Sequence, residues 1–100
     1  MQMIMRIYDI LLANDGHAVI AGTSPHMNPI DFAEIKRLIG DSVVVATKSD
    51  SGREKYNVLG VEMSESLIGN KNIFFKLDTS VENAKRLMGA EVWPNAMMTQ

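Results

Sequence analysis

The sequence predicts an α+β fold in the order α-β-α-β-β-β-α(-β), with an antiparallel meander packed against two or three helices. Three observations predict it. Apolar residues recur at helical spacing in the first dozen positions, an Asn-Pro pair opens a second apolar-faced segment, and β-branched or alternating runs follow between Asp41 and Leu77.

From Met3 to Leu12, residues Ile4, Ile7, Tyr8 and Leu11 keep the i, i+3, i+4, i+7 spacing, while Gln2, Arg6, Asp9 and Ala13 make the opposite stripe. A helix is expected there, stopped by Asn14, Asp15 and Gly16, which tolerate left-handed backbone. Ala18 to Ala21 reads as a short buried strand. Asn28-Pro29 then suits the cap and first turn of a helix, with Asp31 at the positive end of its dipole. Phe32, Ile35, Leu38 and Ile39 supply the apolar face, and Gly40 ends it.

Asp41 to Thr47 carries Val43, Val44 and Val45, a β-branched run suited to a buried strand. The Asp50-Ser51-Gly52 turn leads into a strand over Lys55 to Met63, where Tyr56, Val58, Val61 and Met63 change phase around Gly60. A bulge at Leu59-Gly60 reconciles the two phases. After a turn at Gly69-Asn70, Ile73, Phe75 and Leu77 alternate with Phe74 and Lys76. Thr79 and Glu82 have capping-box spacing, so a last helix is expected from Ser80 to Met88, ended by Gly89. Ala90 to Trp93 reads as an edge strand that Pro94 stops.

The chain has 100 residues, 46% hydrophobic and 22% charged, a composition suited to one packed domain over residues 1–100, with 94–100 a flexible tail. Absence of cysteine excludes disulfides, thiolate metal sites and cysteine nucleophiles. Arg6, Asp9, Asn14 and Asp15 interrupt the best candidate for a membrane span, and no signal-peptide pattern opens the chain. A cytoplasmic protein without membrane contact is therefore expected. Met1, Met3 and Met5 are each a candidate start residue. The formal net charge of −2 gives no global attraction to phosphate, so nucleic-acid binding requires a local patch.

Few residues suggest chemistry. Gly22, Thr23, Ser24 and His26 lie in a predicted strand–loop–helix connection, and loop 22–28 is a candidate site for a phosphorylated ligand held by backbone N–H groups. The arrangement resembles the start of nucleotidyltransferases, whose loop carries two histidines around a glycine. Here only His26 is present, with Asn28 and Pro29 where the second is expected. The same residues also make an ordinary connection. His17 and His26 are the only histidines, too few for a metal site, and no metal or cofactor is expected. Ser24 lacks the Gly-x-Ser-x-Gly elbow of a nucleophile, and no catalytic set is assigned.

Lys48, Arg53 and Lys55 flank the first hairpin turn and precede Tyr56, so hairpin 48–56 is a candidate RNA or DNA contact, although Asp50 and Glu54 offset its charge. Lys85 and Arg86 read as favourable charges near a helix C-terminus.

The stretch Gly52 to Trp93 resembles the small Greek-key barrels of ribosome maturation factors and of the second domain of translation factors. The residues that carry the resemblance are Val58-Leu59-Gly60-Val61, Ile73-Phe74-Phe75-Lys76-Leu77 and Gly89-Ala90-Glu91-Val92-Trp93. The helix signal at Thr79 to Met88 and the two before Gly40 depart from a pure barrel.

The expected first helix also carries Met3, Ile10 and Leu12, an apolar arc wider than a small core requires. Met5, Met63, Met97 and Met98 add adaptable apolar surface. The leading functional expectation is therefore a non-enzymatic protein-binding module, an oligomeric regulator or inhibitor. It would contact a protein partner or a second copy through Ile4, Ile7, Tyr8 and Leu11 and a sheet edge.

Overall fold

A computed structural model describes residues 4–23, 32–47, 52–65 and 71–94. The strands are β1 (Met5–Leu12), β2 (His17–Thr23), β3 (Ser42–Ala46), β4 (Arg53–Glu65), β5 (Lys71–Ser80) and β6 (Glu91–Pro94). Helix α1 (Phe32–Ile39) lies between β2 and β3. Helix α2 (Val81–Ala84), continued by a 3-10 turn over Lys85–Leu87, joins β5 to β6. The strands close in the order β1-β2-β5-β4-β3-β6, every pairing antiparallel. The fold is thus a six-stranded antiparallel barrel and not the expected α+β sheet backed by two or three helices.

The connections make two overlapping Greek keys. Strands β3, β4 and β5 form the expected meander; β2 returns beside β5, and β6 lies beside β3. The stretch from Gly52 to Trp93 contributes β4, β5 and most of β6 to the barrel; β1, β2 and β3 precede it.

The first element is a strand, not a helix. Ile7 pairs with Gly22 and Asp9 with Ala21, leaving Tyr8 as an extra residue in the ladder. Met5 and Ile7 point inward before this bulge, and Ile10 packs against the core after it. The bulge lengthens the inward interval from two residues to three, which imitates helical spacing. Asn14, Asp15 and Gly16 consequently make a hairpin turn, with Gly16 at φ 93° and its N–H donating to the Ala13 carbonyl.

Other local expectations hold more closely. The bulge in β4 lies between Val58 and Gly60, and Ile73, Phe75 and Leu77 all face the interior of β5. The last helix is shorter than Ser80 to Met88, and its N-cap is Ser80, whose Oγ accepts from Asn83 N at 3.2 Å. Thr79 instead accepts from the Asn83 side chain at 2.9 Å. The strand at Glu91–Pro94 is no edge, because it pairs with β1 and β3 and closes the barrel; Pro94 sits in register with Val43. The Asn28-Pro29 cap and the turns at 50–51 and 69–70 lie outside the described residues.

Phe75, Ile20, Ile73, Leu77, Val43, Val45 and Val92 fill the interior, and Ala84 and Leu87 cap one end from α2 and its following turn. Each such side chain contributes roughly 1.5–3 kcal/mol by leaving water.

Candidate functional site

Inward alternation fixes which residues are left for the outside. Across β1, β2, β5 and β4, Leu11, Val19, Lys76 and Gly60 form one cross-strand row; Asp9, Ala21, Phe74 and Glu62 form another. Between these rows and the β1–β2 turn lies an open groove of about 430 Å³, whose lining includes Leu12, Asp15, Val19, Gly60, Phe74 and Lys76. Gly60 leaves the β4 side of the groove without a side chain, and the bulge beside it turns out Leu59.

Apolar Leu12, Val19 and Phe74 share the groove lining with charged Asp15, Glu62 and Lys76. Asp15 pairs with Lys76, and its Oδ1 accepts from the His17 backbone at 3.2 Å. Lys76 first, then that backbone hydrogen bond, holds the Asp15 carboxyl well below the usual carboxylate range. His17 opens β2. Its Nδ1 lies 3.0 Å from Asp15 Oδ1 without hydrogen-bond geometry, and its Nε2 lies 3.7 Å from Asp78 Oδ1. Sequence spacing alone assigns no carboxylate neighbour to this histidine. Among the described residues, no group of three or more His, Cys, Asp or Glu side chains is arranged to hold a metal ion.

The expected partner-binding residues divide between interior and surface. Ile4 and Ile7 are 1% and 2% exposed and belong to the core. Tyr8 and Leu11 are 50% and 41% exposed, and Leu12, part of the wider apolar arc but not among the expected contact residues, is 69% exposed. Met88 adds to this surface: it precedes Gly89, whose N–H donates to the Ile7 carbonyl next to Tyr8. Closure of the barrel removes the sheet edge that the expectation also invoked.

The ligand-site residues Gly22 and Thr23 belong to β2. Gly22 is packed under Met5, and Thr23 Oγ1 bonds Asn72 Oδ1 across the ladder at 3.0 Å. Ser24 and His26 lie outside the described residues, as does Lys48 of the nucleic-acid set.

Strand alternation separates the rest of that set. Arg53 and Lys55 are exposed on the outer face of β4, whereas Tyr56 turns toward the core and α2. Tyr56 donates to Glu54 Oε1 at 2.5 Å and accepts from Asn83 Nδ2 at 3.1 Å. Arg86 forks onto both Glu54 oxygens at 2.6 and 2.5 Å, and its Nε donates to Asn83 Oδ1. Burial first, then the Glu54 contact, raises the Tyr56 phenol above its usual range. Arg86, which reads in the sequence as a helix-end charge, thus ties α2 to β4.

Trp93 is a surface residue that sequence reasoning does not single out. Lys55 and Trp93 both pair with Val44, while Arg53, Ala46, Glu91 and Arg6 form the adjoining cross-strand row. The signal lies in the alternation of Glu91-Val92-Trp93, but only the pairing of β6 with β3 reveals its neighbours. No protein-family model, curated protein or solved structure matches the chain.

Proposed function

We propose that this chain is a non-enzymatic protein-binding module whose contact face is the outer surface of β1, β2 and β5. The observation that carries the reading is the groove lined in part by Leu12, Val19 and Phe74, with Tyr8 and Leu11 exposed on β1 beside it. Outward apolar side chains beside a concave surface supply an anchor point, and the Asp15–Lys76 pair supplies a polar rim. The partner is a protein presenting an apolar side chain to the groove; a second copy of the chain is one such partner.

No helix among the described residues is long and apolar enough to cross a membrane. The experiment is site-specific photo-cross-linking in cells from position 12, with position 82 on the exposed side of α2 as the control. A discrete protein adduct from position 12 that disappears in the Val19→Asp variant supports the reading. Equal adduct patterns from both positions, or an unchanged adduct in the variant, overturn it.

A further inference from the structure

A different face carries a different chemistry. On the outside of β4, β3 and β6, the exposed Arg53 and Lys55 stand two residues apart, about 7 Å along the strand. Two strands away, Glu91 Oε2 accepts from Arg6 Nη2 at 3.1 Å and Glu91 Oε1 accepts from Trp93 Nε1 at 3.2 Å. Arg6 also donates to the Gly89 carbonyl at 3.0 Å. One carboxylate therefore holds a guanidinium and a partly exposed indole side by side. Among the described residues, Arg6, Arg53 and Lys55 share this outer face with the one carboxylate of Glu91, on a chain whose formal net charge is −2.

We infer that this face binds single-stranded nucleic acid, with a base stacked on Trp93 and the phosphate backbone running toward Arg53 and Lys55. A polyanion with flat bases uses both features, its phosphates meeting the cation pair and a base meeting the indole face. Glu91 is a positioning residue here, since its two hydrogen bonds fix the guanidinium and the indole relative to each other. Base edges are left unread, so sequence preference is weak. Tyr56 takes no part, because strand alternation turns its ring away from this face, where it packs against the core and bonds Asn83 of α2.

Trp93 is the only tryptophan of the chain, so its fluorescence reports this face alone. The test titrates the full chain at low salt with oligothymidylate, with a duplex of equal length and with polyglutamate. Expected are quenching by oligothymidylate, weaker quenching by the duplex, and none by polyglutamate. The Arg53→Ala/Lys55→Ala variant is expected to bind more weakly and to lower the slope of log K against log salt by about 1.4, two single-strand phosphate contacts. In a competition assay Trp93→Phe is expected to lose about tenfold in affinity. Absence of quenching at low salt, equal quenching by polyglutamate, or an unchanged salt slope in the double variant overturns the inference.

Discussion

Gly22 in β2 lies directly against Met5 in β1: a Cβ at position 22 would stand 2.6 Å from Met5 Sδ and 2.6 Å from the Arg6 carbonyl oxygen. The thioether can swing aside, but the carbonyl belongs to the ladder and cannot. Gly22→Ala is therefore expected to cost about 2 kcal/mol or more, read as a lower urea midpoint. An unchanged midpoint would show that the two strands are not packed this closely.

The strand assignment of the first segment predicts a contrast between two apolar residues. Ile7→Ala empties part of the interior and is expected to cost roughly 2–5 kcal/mol, whereas Leu12→Ala removes an exposed side chain and should stay within about 0.5 kcal/mol. A helix that buried both residues within its expected wide apolar arc would make the two losses more alike. Chemical denaturation of the two variants distinguishes these cases.

The Glu54 cluster predicts an acid-side loss of stability. Hydrogen bonds from Arg86, then Tyr56, hold the Glu54 carboxyl below its usual 4.5. A depressed folded-state value means that this contribution is complete above the unfolded value and fades as pH falls through the folded one. Glu54 and Arg86 are 30% and 44% exposed, so solvent screening keeps the pair to about 1 kcal/mol or less. Comparing Glu54→Gln with the parent chain from neutral pH downward should give stabilities that converge below pH 4.5. A constant difference across that range would contradict the pairing.

The cap of α2 predicts a further difference. Ser80→Ala removes the acceptor for Asn83 N and is expected to cost about 1 kcal/mol, a fall in melting temperature of roughly 4–8 °C for a domain of this size. Thr79→Ala leaves that backbone N–H satisfied and should cost less. Thermal unfolding of the two variants reads the order directly.

Strands with uniform burial on one side are legible from residue type alone. Phe75 alternates with polar or half-buried neighbours, Val43 to Val45 is β-branched throughout, and Gly60 interrupts one phase and starts another, which places the bulge in β4. Tyr8 is not legible in this way. An extra residue in a ladder has no compositional mark when it is aromatic, and it makes β1 look helical. The proposed contact faces are harder still: Arg53 and Lys55 stand out in the sequence, but the aromatic residue that shares their outer face is Trp93, far away along the chain, and not the adjacent Tyr56.

By itself, the sequence determined the positions of the central strands, the bulge in β4 and the lack of thiol chemistry, because these depend on side chains and their near neighbours. Closure of the barrel, the inward burial of Ile7, the exposure of Leu12 and the meeting of Arg6, Glu91 and Trp93 were decided by tertiary structure. Those relationships require β6 to pair with β1 and β3, and pairing between distant strands is set by the packing of the whole interior, which no local pattern encodes.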